Sequence, residues 1–436
     1  MALLLLAAGA SMAVPPLVRA QPAGAPVRTL TLDDALRLFH ERGFDLVLAD
    51  TAVAAAAGDL TAAKAFPNPV IGGGGGHTYD YRPHGADCSG CSQRQWTASL
   101  NDSGLLFDLV IGKRRLAIDV AKAALAGAQH SRADAERTLV AAVKEAYVDA
   151  VVARALLDTS RETAESAQRT ADLVQLRFHA GDVAEADAAR AETSRLEAEQ
   201  AVDAAHEVAD AANVALAFWI GEREGSVDFE VARELPAPDE PPALATATIG
   251  DLVASARQKR PDLAAAQAGV ESAQSALALE RRKRIPDVAL TGGYTQEGTG
   301  QEALQPPTAS LGITLPLPVF DRNAGGIARA EVALHAQSVQ RDKLDAQIAG
   351  EVAAALAAHR SALERVERMN AGLLVNARRA RDLVEYQYKR GAASLLELLD
   401  AERSFAATRA EAVQSLGDYW SSRYRIEEAV GMEIGS

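Results

Sequence analysis

The fold class this sequence predicts is mainly α-helical with a membrane β part, and three observations carry it. Alanine dominates the apolar residues, the chain reads as two copies of one unit, and each copy sets two short alternating segments between long helical runs. Hydrophobic residues fill 48% of the 436 positions, yet aromatic residues fill only 5%. Runs such as Ala54 to Ala57 and Ala353 to Ala355 favour helix and let backbones approach closely. That composition suits long packed helices better than one thick globular core. The net charge of −14 argues against nucleic acid or anionic lipid as the main partner.

Residues 1–20 read as a secretory signal. Leu3 to Leu6 and the alanines after them form a short apolar core, and Val18-Arg19-Ala20 is a small-residue cleavage site. A basic leader is missing, so the true start codon is left open. Beyond residue 20 no apolar run reaches the roughly 18 residues a transmembrane helix needs. A membrane role must then fall to β-strands.

Ordered self-matches define the repeat. Thr31-Leu32-Asp33-Asp34-Ala35 resembles Thr248-Ile249-Gly250-Asp251-Leu252, and Phe66-Pro67-Asn68 resembles Ile285-Pro286-Asp287. Thr97-Ala98-Ser99-Leu100 matches Thr308-Ala309-Ser310-Leu311, and Phe178-His179-Ala180-Gly181 resembles Tyr388-Lys389-Arg390-Gly391. The first repeat takes residues 21–245 and the second 246–436, with the Pro-rich stretch 221–247 connecting them.

Each element follows from its own pattern. Residues 32–65 are expected to be helical and to stop at Pro67 and Pro69. Strands are expected at 67–81 and 94–108. A long helix over 112–178 ends near Gly181, and a second over 183–220 ends at Gly221. The second copy predicts helix 249–284, strands 286–297 and 308–319, helix 324–389, a turn at Gly391 and helix 393–430. The run 112–178 would span about 100 Å, close to the summed length of the two shorter helices of its copy. Stacked short helices beside one continuous helix are what a cylinder wall needs.

The clearest strand is Leu311 to Val319, with aliphatic residues at every odd position. Trp96, Ala98 and Leu100 are in phase, whereas Leu105, Phe107 and Leu109 are not, which requires a bulge near Asn101 to Gly104 or a different strand boundary. Four strands cannot close a membrane barrel, since closed barrels begin at about eight. Three chains would together supply twelve. A small soluble sheet capping a coiled coil is the competing reading.

Several segments resemble the TolC superfamily of outer-membrane factors, and within it the heavy-metal efflux branch typified by CzcC. They are the repeat itself, Thr314 to Asn323 followed by Gly325-Gly326, Gly112-Lys113-Arg114-Arg115, and the two helical tips Arg177 to Val183 and Arg390 to Ala401. The resemblance implies a homotrimer with a twelve-stranded β-barrel in outer-membrane lipid and a long antiparallel coiled-coil α-barrel through the periplasm. It implies an export duct served by a periplasmic adaptor (a membrane fusion protein) and an inner-membrane pump of the RND type. It implies no enzyme activity and no cofactor. Glu397 and Asp400 match the family's entrance carboxylates; as an i, i+3 pair they share one helix face. Gly181, Asp182, Val183, Arg390, Gly391 and Ala392 match the adaptor-contact tips. Ala393 stands where the family's prototype carries an arginine that helps lock the entrance, so the closed state is held differently here. The CzcC-like branch points to divalent cations as cargo; drugs and organic acids stay open.

No hydrolase, phosphate-loop or dinucleotide signature is present. Cys88 and Cys91 lie in the loop between the first two strands, where export favours a disulfide. Metal binding with His77 or His84 is the alternative, but two thiols and two histidines on a loop do not define a site.

Overall fold

A computed structural model describes residues 28–78, 93–223, 229–297 and 307–434. The expected signal at 1–20 and the pair Cys88 and Cys91 lie outside the described residues. Strand β1 (Arg28–Leu30) leads into α1 (Leu32–Arg42) and α2 (Phe44–Lys64), then β2 (Val70–Thr78) and β3 (Gln93–Asn101). A short helix α3 (Leu105–Ile111), the long α4 (Lys113–Ala180) and α5 (Glu185–Trp219) follow. After β4 (Phe229–Val231) and α6 (Pro242–Ala245) the order resumes. Helices α7 (Ile249–Lys259) and α8 (Pro261–Arg282) precede β5 (Ala289–Glu297) and β6 (Thr308–Thr314), and α9 (Ala324–Arg368), α10 (Leu374–Lys389) and α11 (Leu395–Val430) close the chain.

Several boundaries differ from the expectation, each for a local reason. The strand expected to 108 stops at Asn101. Asn101 and Asp102 accept from the backbone N–H groups of Ser103 (2.7 Å) and Gly104 (3.0 Å). Ser103 and Gly104 both turn left-handed, with φ of 55° and 81°, and the chain restarts as α3. The strand expected over 308–319 stops at Thr314, because Pro316 and Pro318 have no N–H to give a ladder. The strands expected at 67–81 and 286–297 begin later, at Val70 and Ala289. The helix expected over 32–65 breaks at Gly43, where a Cβ would lie 2.6 Å from the Phe39 carbonyl oxygen. The helix expected over 249–284 breaks at Arg260, whose extended backbone (ψ 122°) is what a following Pro261 imposes. The helix expected over 324–389 is interrupted by a π-turn at Met369–Leu373. Leu32–Lys64 is also long and apolar enough, by length and composition, to cross a membrane. This corrects the expectation that no such run lies beyond residue 20: the alanines, valines and leucines outweigh Asp50 and Asp59 in the mean hydropathy.

Helix α4 is the spine. Near the sheet it meets α2, where Arg132 pairs with Asp50 (2.9 Å), and α8, where Ser272 donates to the Val120 carbonyl (3.3 Å). Farther along it meets α5 and α11, with Ser166 and Thr170 donating to Glu402. One unbroken helix of 68 residues is thus flanked on each side by two shorter ones stacked end to end.

Two apolar clusters thicken the middle. In the first, Leu30, Phe39, Val143, Leu216, Ile220 and Val231 are buried where α1 and the parallel pair β1–β4 lie on α4 and α5. In the second, Leu244, Ile348, Val352, Leu356, Ile426 and Val430 join α6, α9 and α11. Each large aliphatic side chain buried there contributes about 1.5–3 kcal/mol. Buried Lys144, reaching Glu427 (3.2 Å) and Glu433 (2.9 Å), ties α4 to the end of α11.

The four membrane-type strands form an antiparallel sheet in the order β2-β3-β5-β6. Its register separates two faces. Ile71 opposes Leu100, Ala98 opposes Tyr294, and Leu290 opposes Ile313 on one side. Gly72 opposes Ser99, Thr97 opposes Thr295, and Gly293 opposes Ser310 on the other. One face is therefore aliphatic and aromatic, the other hydroxyl and glycine. Strands β2 and β6 have no described partner on their outer edges.

Candidate functional site

The end of the molecule farthest from the sheet is built from two helical hairpins, α4–α5 and α10–α11. Their turns are alike. Gly181 closes α4 with φ of 80°, its N–H donating to the Phe178 carbonyl (3.0 Å) while Asp182 N–H reaches Arg177 (2.9 Å). Gly391 follows α10 with φ of 74°, with the same bonds from Gly391 to Tyr388 (3.0 Å) and from Ala392 to Gln387 (2.9 Å). This pairing satisfies carbonyls that a helix end otherwise leaves bare. A Cβ at either glycine would meet nothing within 4 Å. Glycine is needed there for the left-handed turn, and the turn faces open space.

Arg177 joins the two turns, a role the sequence pattern does not disclose. Its guanidinium donates to the carbonyls of Tyr388 (3.4 Å) and Lys389 (3.1 Å) and lies 4.8 Å from the Tyr388 ring centre. Beneath it, Val174, Ala191, Tyr388, Leu395 and Leu398 form a small buried core. Val183, expected at the outer contact surface, is half-buried against that core; Asp182, Arg390, Gly391 and Ala392 are exposed. Ala393 packs on the same core, so its small side chain serves the hairpin interior.

Glu397 and Asp400 occupy the first turns of α11, and both are exposed. Glu397 is not free. Its carboxylate accepts from the Ser394 backbone N–H (2.7 Å) and hydroxyl (2.9 Å), while that hydroxyl accepts from the Glu397 N–H (3.3 Å). This is a capping box, legible in the Ser-x-x-Glu spacing. The backbone hydrogen bond from Ser394 holds the Glu397 pKa below the ordinary carboxylate value, so the group stays ionised. Asp400 forms no ion pair with any described residue.

The first hairpin carries different chemistry at the matching height. Ala184 replaces Ser394 and gives no side-chain cap, and Asp187, in the place of Glu397, pairs with Arg190 at 3.2 Å. At these matched positions the second hairpin presents an acidic pair and the first an acid–base pair, while Asp182 and Glu185 add exposed acids to the first tip and Arg390 an exposed base to the second.

Between the hairpins lies a cavity of about 660 Å³ lined by Glu162, Ser166, Arg378, Arg381, Glu402 and Arg409. Glu402 accepts from Thr170 (3.0 Å) and Ser166 (3.4 Å), and burial pushes its pKa up. Among the described residues, no three His, Cys, Asp or Glu side chains gather closely enough to hold a metal ion. The site can shape a field and a contact surface.

Comparison with known proteins fits that geometry. The family model described as "Outer membrane efflux protein" matches residues 35–222 and 252–432. The chain is 24% identical to the cobalt-zinc-cadmium resistance protein CzcC of Cupriavidus metallidurans, covering 92% of this chain and 90% of that protein. It is 30% identical over 159 residues to the cation efflux system protein CusC of Escherichia coli K12, 35% of this chain and 34% of that one. Among solved structures it is similar to that of CusC, with a TM-score of 0.76 at 19% identity over 95% of this chain and 96% of that chain.

Proposed function

The chain belongs to the outer membrane efflux protein family and is an export duct of the outer membrane with a tunnel reaching into the periplasm; from that premise we propose that three copies close one duct whose entrance selects for cations. The observation that carries this reading is the acidic pair on the second hairpin. Glu397 and Asp400 share a helix face at the tip and form no ion pair with any described residue, and three chains would bring six carboxylates to one axis. A ring of that kind attracts cations and repels anions. The capping hydrogen bonds keep Glu397 charged even in a mildly acidic compartment.

The exposed tip residues Gly181, Asp182, Arg390, Gly391 and Ala392 are the surface for a periplasmic adaptor, which links the duct to an inner-membrane pump of the RND type. The two open turns and the absence of internal crowding at both glycines support this. Heavy-metal cations are the proposed cargo, on the strength of the cobalt-zinc-cadmium and cation efflux relatives.

Planar-bilayer conductance tests the proposal. Wild type should pass a small cation-selective current that divalent ions block. Glu397→Gln/Asp400→Asn should conduct more and lose the divalent block. Glutamine still completes a capping box, so the substitution removes charge without unfolding the turn. Unchanged selectivity in the double variant would place the cation filter elsewhere.

A further inference from the structure

A chain with a net charge of −14 is not acidic everywhere. Basic residues gather where the four helices meet the sheet. The run 113–115 (Lys-Arg-Arg) opens α4, the run 281–284 (Arg-Arg-Lys-Arg) ends α8, and Arg322 precedes α9. These helix ends lie together. Lys113 pairs with Asp287 at 2.6 Å, and Asn323 donates to the Glu280 carbonyl at 2.9 Å. The local acids are mostly occupied. Glu280 is held by Lys283 (2.6 Å) and Glu331 by Arg281 (3.0 Å), while Asp108 and Asp321 accept from the backbone N–H groups of Arg114 and Asn323. That leaves Arg115, Arg282, Arg284 and Arg322 exposed, with no ion pair to any described residue.

Apolar side chains share this level. Phe320 is fully exposed, and Leu317 (72%), Val319 (64%) and Phe66 (54%) are largely so. The Arg114 guanidinium lies 3.8 Å above the Phe66 ring. An exposed aromatic with a cation on its face fits a boundary that is greasy on one side and charged on the other. The position fits too, since Leu315, Leu317 and Val319 follow directly on β6, whose Leu311 and Ile313 lie on the apolar face of the sheet.

We propose that this basic collar seats anionic phospholipid headgroups of the periplasm-facing leaflet, with the exposed Phe66 and Phe320 entering the acyl boundary beside them. The inference rests on the outer-membrane placement of the sheet. It refines the expectation drawn from net charge, because charge attracts a lipid surface only within about a Debye length. The acidic tips are at the other end of a tunnel on the order of 100 Å long.

The test is native mass spectrometry of the purified trimer, partly delipidated and offered phosphatidylglycerol against phosphatidylethanolamine at low and high ionic strength. Wild type should retain phosphatidylglycerol preferentially, and high salt should erase the preference. Arg282→Gln/Arg284→Gln/Arg322→Gln should lose about fivefold per charge at low salt. These three arginines make no ion pair with any described residue, so folding is spared. Arg378→Gln/Arg379→Gln/Arg403→Gln, at the tip end, should retain as much as wild type. No headgroup preference in wild type, or equal loss in the tip variant, overturns the collar. Planar-bilayer current separates the two readings: normal conductance without lipid preference leaves the duct standing and removes the collar. A change in ion selectivity in the collar variant with unchanged lipid retention would put those arginines in the lumen and also overturn it. Failure to insert in either lipid would remove both.

Discussion

Glu402 is half-buried between the hairpins, and its desolvation raises its pKa. The neighbouring Glu385 adds to that rise, while hydrogen bonds from Thr170 and Ser166 and the charge of Arg381 oppose it. A carboxyl whose folded pKa exceeds its unfolded value stabilises the fold below the unfolded value. That contribution is lost as pH rises through the folded one. The hairpin pair should therefore melt at progressively lower temperature as pH climbs from the ordinary carboxylate range through the raised value. Glu402→Gln stays neutral and keeps an acceptor, so its melting temperature should lack this component. Parallel slopes of melting temperature against pH in the two proteins would assign the effect to another group. Glu402 and Arg177 could not be singled out from the sequence, because each acts through partners more than 200 positions away. Glu397 and Asp400 were picked out by the family resemblance, and their spacing on one turn of one helix agrees with it. Even there the Ser394 cap was readable only in a spacing shared by many helix starts.

Element identity was largely legible, since alanine-rich periodicity and the odd-position aliphatic row each specify one backbone geometry. Element ends were not. The stop at Asn101 depends on two side chains folding back on their own backbone, and the break at Gly43 on the approach of Phe39. The π-turn at Met369–Leu373 has no sequence signature that distinguishes it from α-helix. The two tip glycines were legible as helix stops, and their left-handed backbone now gives them an energy. Gly181→Ala and Gly391→Ala should each cost about 1 kcal/mol through backbone strain alone, because the added methyl meets nothing. Chemical denaturation of each variant checks this. A loss of several kcal/mol would mean that the turn is packed against something the single chain does not contain.

At the scale of the whole molecule, the decisive feature is a four-stranded sheet whose two outer strands have no described partner on their free edges. In lipid, each unpaired backbone group costs several kcal/mol, so one chain cannot span a bilayer by itself. Material dissociated to single chains should give no bilayer insertions, and insertion frequency should track the assembled fraction separated by size-exclusion chromatography. Insertion by single chains would require the edges to be covered in another way. The number of chains that close the barrel was inferred from strand arithmetic rather than read from any residue, because a sequence records its own edges and not what meets them. The unlike tips have a different kind of consequence. A ring assembled from identical single hairpins would carry the same chemistry at every tip. Two hairpins in one polypeptide free alternate positions to diverge, and here one has Ser394, Glu397 and Asp400 where the other has Ala184, Asp187 and Arg190. Fusion of the two halves thus halves the rotational symmetry of the mouth, and a mutation in one hairpin alters every second tooth of the ring while leaving its neighbours as they were.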